Sequence, residues 1–222
     1  MSIAQNLAFI KSTIPAQVTL IAVTKTHPIE KLMEVYTAEH KVFGENKVQE
    51  LCDKYEALPK DIDWHLIGHL QSNKVKYIAP FVSLIHSVDS IKLLQEINKQ
   101  AAKNNRTINC LLQIYIANED TKFGLSFSEA QQLIDSSEFK QLNNIKIVGL
   151  MGMATNTDDT TQIRKEFKSL KTFFDSLKNH STANFELSIL SMGMSSDYQM
   201  AIEEGSTMVR VGSSIFGKRI YL

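Results

Sequence analysis

The sequence is short of nearly everything that marks a specialised class of protein. It has two cysteines in 222 residues, Cys52 and Cys110, 58 positions apart. With no CxxC spacing they read as packed or free thiols, which fits a reducing cytoplasm. Neither sign of charge is in excess, with 24 basic and 24 acidic residues. There is therefore no electrostatic footprint for nucleic acid. No apolar run is long enough to span a bilayer. The opening "MSIAQNLAFIKSTI" carries its lysine late and spaces its apolar residues, unlike a signal peptide. Four prolines and nine glycines never gather into a linker, so one domain over 1–222 is expected.

What is present is alternation. Apolar, β-branched runs occur near 18–24, 41–43, 63–67, 82–86, 107–116, 145–151, 186–191 and 207–211. Segments of helical spacing lie between them, at 29–38, 45–57, 72–79, 89–104, 128–139, 160–179 and 196–204, with an extra helix at 2–12. Pro28 suits a first helical turn, and Asp89 and Ser126 or Ser128 are plausible N-caps. "KSLKTFFDSLK" reads as the solvated face of an amphipathic helix. Eight strands, each followed by a helix or short helical turn, fit an α/β fold of the (β/α)8 TIM-barrel type. A doubly wound sheet would ask for a glycine-rich loop after the first strand, and "VTKTHP" is not one.

Active sites of such barrels sit at the C-terminal ends of the strands. Lys25 ends the first strand. Glu45 and Asn46 follow the second, His65, His69, Gln71 and Asn73 the third, and "IHSVD" the fourth. "SMGMSS" follows the seventh and "GSSIFG" the eighth. Each of the last two joins hydroxyls and a glycine to the start of a helix, placed at about Ser195 or Ser196 in the first. Free amides and hydroxyls there can hold a phosphate, and loops 7 and 8 are the frequent phosphate site of the fold. The plainer alternative is that Ser195, Ser196, Ser213 and Ser214 cap helices.

Arg210 alternates with Val209 and Val211. If the valines face the helices, the arginine points into the barrel and needs a partner there. That partner is either a carboxylate such as Glu45 or a ligand atom near the phosphate. By the same alternation Lys25 shares a face with Ile21 and Val23 and enters the barrel mouth. A lysine in a partly apolar pocket loses basicity and can form an imine. A phosphate cradle, an inward arginine and such a lysine suit pyridoxal 5′-phosphate, its aldehyde on Lys25 and its ring nitrogen towards Arg210. His27, His65, His69 and His86 have no metal-ligand spacing. His65 and His86 read as packed or supporting groups, and no metal is expected.

"AVTKTHP", "FGENKVQE", "WHLIGHLQSNK", "IHSVDS" and "LSMGMSSDYQMAIEEGSTMVRVGSSIFG", in this order over essentially the whole chain, closely resemble the pyridoxal phosphate homeostasis proteins. The resemblance implies a barrel of the alanine racemase N-terminal-domain type, with pyridoxal 5′-phosphate held as an aldimine on Lys25. It implies Asn46 near the cofactor, phosphate contacts from Ser191, Ser195, Gly212 and Ser213, and Arg210 at the pyridine nitrogen. Members of this family are cofactor-binding regulators of vitamin B6 and amino-acid balance without firmly established catalysis.

The expected role is therefore buffering or delivery of the cofactor, with apoenzymes as transient partners, by a cytoplasmic monomer. The alternatives are an amino-acid racemase using the same cofactor and a Schiff-base aldolase acting on a phosphorylated sugar. A racemase wants acid–base groups on both faces of the cofactor, and related racemases take a tyrosine from an added β-domain. With the sequence ending soon after the expected eighth strand, that domain is expected to be absent. Its tyrosines fall in expected helices (Tyr36, Tyr55, Tyr77, Tyr198), within strand 5 (Tyr115) or at the terminus (Tyr221).

Overall fold

In a computed structural model, which describes residues 2–119 and 122–217, eight parallel strands close into a barrel in chain order. They are β1 (Thr19–Val23), β2 (Val42–Glu45), β3 (Asp63–Leu66), β4 (Leu84–Val88), β5 (Ile108–Ile114), β6 (Ile145–Gly152), β7 (Phe185–Ser191) and β8 (Met208–Val211). The helices are α1 (Ile3–Ser12), α2 (Ile29–Thr37), α3 (Val48–Ala57), α4 (Val75–Ile78), α5 (Ile91–Lys103), α6 (Phe127–Asp135), α7 (Ser137–Lys140), α8 (Thr160–Leu177), α9 (Tyr198–Glu203) and α10 (Ser213–Phe216). A 3-10 turn at Ser72–Lys74 precedes α4. Strand β8 pairs back onto β1, with Arg210 opposite Ile21. The (β/α)8 expectation is met, and no helix among the described residues is long and apolar enough to cross a membrane.

Parallel strands in such a barrel are buried on both faces, which is why they read as nearly unbroken apolar runs. Two cores result. The larger lies between strands and helices and holds Leu20, Ala22, Phe43, Trp64, Leu66, Val209 and Val211. The smaller fills the barrel with Ile21, Leu84, Leu111, Val148, Met151 and Met208. Helix α8 shows how sequence spacing becomes packing. Ile163, Phe167, Leu170, Phe174 and Leu177 recur every three or four positions and are all buried, each contributing about 1.5–3 kcal/mol. Its lysines line the opposite, wet face.

Several expected boundaries move, for local reasons. The segment 128–139 is two helices, because the Ser136 hydroxyl accepts from the Phe139 amide and starts a new turn. Helix α5 is capped by Ser90 and not Asp89. Ser126 does cap α6, in a reciprocal box with Glu129. Strand β5 stops at Ile114, so Tyr115 stands beyond its end and donates to the Glu119 carbonyl at 2.9 Å. Tyr221 lies outside the described residues.

Strand β6 departs from simple alternation. Cys110 pairs with Ile147 and Leu111 with Gly149, so Val148 is an extra residue bulged out of the ladder. The bulge turns Met151 into the barrel and aims Met153 at its mouth. It also draws β6 against β7: a Cβ on Gly149 would lie 1.9 Å from the Ile189 carbonyl oxygen. That oxygen belongs to backbone and cannot retreat without opening the β6–β7 ladder. Gly149→Ala is expected to destabilise the fold by on the order of 3 kcal/mol, measurable as a lower urea midpoint.

Candidate functional site

The C-terminal ends of the strands surround a cavity of about 390 Å³, within the range of small-molecule sites. Lys25 enters it just after β1, beside Val23. Asn46 follows β2 and Ile67 follows β3. Met153 comes from the turn after β6, Met194, Ser195 and Ser196 from the loop after β7, and Arg210, Gly212, Ser213 and Ser214 from β8 and α10. Six of the residues singled out by sequence thus share one wall: Lys25, Asn46, Ser195, Arg210, Gly212 and Ser213. The inward direction of Lys25 and Arg210 is the one alternation predicts, since Ile21 fills the barrel while Val209 and Val211 pack on the helices.

Ser191, expected as a phosphate contact, stands apart from these six. It is fully buried inside the barrel and is not part of the cavity wall. Arg210 Nη1 donates to its hydroxyl at 2.6 Å and to its carbonyl at 2.9 Å, while Nη2 donates to the Gly152 carbonyl at 3.1 Å. The guanidinium is therefore gripped by three neutral acceptors. The carboxylate alternative is not realised, because Glu45 bonds Lys54 at 2.6 Å instead. Burial pulls the Arg210 pKa down to about 10, opposed only by the more distant Asp197. Its remaining N–H donors have no partner among the described residues.

Behind Arg210 lies a polar chain that sequence reasoning did not join together. The Ser191 hydroxyl is 3.1 Å from His86 Nδ1, and His86 Nε2 is 3.1 Å from His65 Nδ1. An arginine can only donate, so Ser191 accepts from it and donates its own proton to His86. His86 then carries its proton on Nε2 and gives it to His65. Burial drives the His65 pKa down to about 4 and that of His86 well below its ordinary value, with His65 and Arg210 adding to the latter. Both rings are neutral near pH 7.

The loops after β7 and β8 are tied together. The Gly212 amide donates to the Ser195 hydroxyl at 3.1 Å, and the Asp197 carboxylate accepts from the Met194 amide at 2.5 Å. The helix begins at Tyr198, after Asp197, whose side chain does not cap it, so Ser195 and Ser196 stand on the loop before it. The amides of Ser213 and Ser214 open the α10 turn and find no acceptor among the described residues. Asn46 Oδ1 is buried without a hydrogen-bond partner among the described residues. The backbone of Asn46 is fixed by Gly68, where a Cβ would lie 2.3 Å from the Asn46 carbonyl oxygen.

The wall thus offers a lysine, a buried cation with donors to spare, an orphaned amide oxygen, and hydroxyls with free amides. That donor set fits a small ligand bearing an electrophilic carbon, an acceptor nitrogen and an anionic group. It does not fit a metal, and no cluster of His, Cys, Asp or Glu among the described residues could hold one. His69 is half-exposed, near Asp89 and edge-on to Phe123.

The chain is similar to known proteins over nearly its whole length. A family model described as alanine racemase, N-terminal domain, matches residues 1–219. The pyridoxal phosphate homeostasis protein of Aquifex aeolicus is 42% identical over 203 residues, 91% of this chain and 87% of the relative. PipY of Synechococcus elongatus PCC7942, solved with PLP bound, superposes with a TM-score of 0.87 at 35% identity over 97% of this chain and all of its own. Alanine racemase of Clostridium difficile shares only the fold, with a TM-score of 0.80 at 14% identity over 99% of this chain and 60% of its own. The chain belongs to the alanine racemase N-terminal-domain family and, within it, to the pyridoxal phosphate homeostasis proteins.

The buried imidazoles set a pH dependence. Unfolded histidines take up protons below about pH 6.5, while His65 and His40, both buried, resist until about pH 4. Stability contributed by these groups is complete above about pH 6.5 and is lost as pH falls towards 4. His65 alone accounts for about 3 kcal/mol across that window. Urea unfolding between pH 7 and pH 4 should show the decline, and His65→Gln should flatten it.

Proposed function

We propose that this chain binds pyridoxal 5′-phosphate reversibly and takes part in its intracellular homeostasis, buffering or delivering it without robust catalysis. The observation that carries this is the meeting of Lys25 and the carboxylate-free Arg210 on one cavity wall with the seryl loops after β7 and β8. The cofactor brings an aldehyde that condenses with a primary amine, a ring nitrogen that accepts hydrogen bonds, and a phosphate. Lys25 would hold it covalently, Arg210 would donate to the ring nitrogen, and Ser195, Gly212 and Ser213 would hold the phosphate. Asn46 would flank the ring. Ser191 would act behind the site, as the acceptor that fixes Arg210.

A guanidinium at the ring nitrogen disfavours ring protonation, since it is charged and only a donor. The ring is then a weak electron sink, and transamination or decarboxylation is poorly supported. Racemisation needs a second acid–base group opposite Lys25. No tyrosine lines the cavity among the described residues, and the hydroxyl of Tyr115 is bonded to the Glu119 carbonyl. The 1–222 chain is read as one domain acting as a monomer, with transient contacts to apoenzymes that need the cofactor. The free thiols of Cys52 and Cys110 are in keeping with a cytoplasmic setting.

Borohydride reduction of protein mixed with pyridoxal phosphate, followed by peptide mapping, should place the pyridoxyl group on Lys25. Label confined to other lysines would refute the assignment. Pyridoxal lacking the phosphate should bind at least about 100-fold more weakly, because several charge-assisted hydrogen bonds of about 1.5–3 kcal/mol each are lost.

A panel of L- and D-amino acids, followed by chiral chromatography and keto-acid assay, should show no turnover in the enzymic range of about 1–10³ per second. Turnover in that range, abolished by Lys25→Ala, would establish the racemase-like alternative.

A further inference from the structure

Lys25 faces the barrel mouth, but the residues on either side of it are gripped from the opposite face. Thr24 and Glu45, at the tops of β1 and β2, turn outwards to α3. Lys54 of α3 is 5% exposed, an unusual depth for a lysine. Its ammonium donates to the Thr24 carbonyl at 2.8 Å, to Glu45 Oε1 at 2.6 Å and to Glu50 Oε1 at 2.7 Å. Thr24 Oγ1 donates to Glu45 Oε1 at 2.5 Å, and the Thr26 amide donates to Glu50 Oε1 at 2.5 Å. One ion cluster, buried at Lys54 and Glu45 and partly exposed at Glu50, therefore holds the backbone immediately before and immediately after Lys25. Thr26 has φ +66°, in the left-handed region that a β-branched residue rarely enters. A conformation of that kind persists only where its surroundings enforce it.

We propose that Glu50 and Lys54 are positioning residues for Lys25. By holding Thr24 and Thr26 they fix the direction from which the Lys25 amine meets an aldehyde in the cavity. The inference rests on the cofactor reading above and adds residues that do not touch the cavity. In the step they serve, the amine nitrogen bonds to the aldehyde carbon. The carbonyl oxygen leaves as water with the two amine protons, and a carbon–nitrogen double bond remains. Such a step is sensitive to orientation, whereas phosphate and ring contacts made by β7, β8 and α10 are not under the control of this cluster.

The test separates the two. Lys54→Met would leave Glu45 and Glu50 facing each other without a cation, so the experiment rests on Glu50, whose side chain is 23% exposed. The rate of covalent attachment of pyridoxal phosphate, followed by absorbance, is compared with the affinity for pyridoxamine 5′-phosphate, which has no aldehyde. Glu50→Ala should slow attachment about tenfold or more and change pyridoxamine phosphate affinity less than about twofold. Glu50→Gln, which keeps an oxygen acceptor for the Thr26 amide, should recover most of the rate. Attachment at the unsubstituted rate in Glu50→Ala would overturn the positioning role, as would a parallel loss of affinity for both ligands, the mark of general structural damage. Absence of covalent attachment in the unsubstituted protein would overturn the cofactor reading itself, and this inference with it.

Discussion

A guanidinium sits at the mouth of this barrel without a carboxylate in contact, and much of the surrounding structure follows from keeping it there. Removing a charge from water costs several kcal/mol even after relaxation. Arg210 recovers part of that from the Ser191 hydroxyl and carbonyl and the Gly152 carbonyl. All three are dipoles, so none cancels the charge. The cation remains available to whatever enters the cavity, and beyond the attraction of the more distant Asp197 its residual cost is offset by a ligand with an acceptor in the right place. A carboxylate at the same spot would have stabilised the empty protein and spoiled the site.

The carboxylate that might have done so is Glu45, which the two-residue period of β2 sends outwards. The same period divides the rims of the first two strands into two faces with different duties. Lys25 and Asn46 border the cavity, while Thr24 and Glu45 lie against α3. The inner face presents the Lys25 amine and an Asn46 amide oxygen that has no hydrogen-bond partner among the described residues. The outer face carries a nearly closed ionic cluster that stiffens the backbone they hang from. Burial raises the Glu45 pKa, and Lys54 and Thr24 counter it, so the cluster depends on all its members being present.

Much of this was legible in the sequence because period-two alternation survives in β1 and β8. Reading Val209 and Val211 outward puts Arg210 inward, and reading Ile21 and Val23 inward carries Lys25 to the mouth. The same reasoning fails in β6, where the bulge at Val148 shifts the phase and brings Met153 to the cavity. Nothing in "IKIVGLMG" announces that extra residue except its glycines. It does not reach the Arg210–Ser191 bond either, since a hydroxyl in a seryl motif looks the same whether it meets a phosphate or an arginine. Glu50 and Lys54 were open to discovery: they stand four apart on one helix, and Lys54 falls three after Leu51 on the buried stripe. A lysine in an apolar register is a signal that charge-run reasoning passes over. The His65–His86–Ser191 chain joins three different strands, and no local pattern could have assembled it.

Lys25 follows the first strand and Arg210 lies in the last, and those strands are hydrogen-bonded neighbours, Ile21 facing Arg210 across the seam. A chain leaving the ribosome therefore exposes its lysine long before the arginine exists. Long-range closure of this kind is slow, because the whole intervening loop must be ordered first. A ligand held by both residues has nothing to grip until the seam shuts. Once bound, it acts as a clasp between the chain's two ends, adding stability in proportion to the logarithm of its concentration over its dissociation constant. On the cofactor reading proposed above, the supply of that ligand would then set how firmly the barrel stays closed.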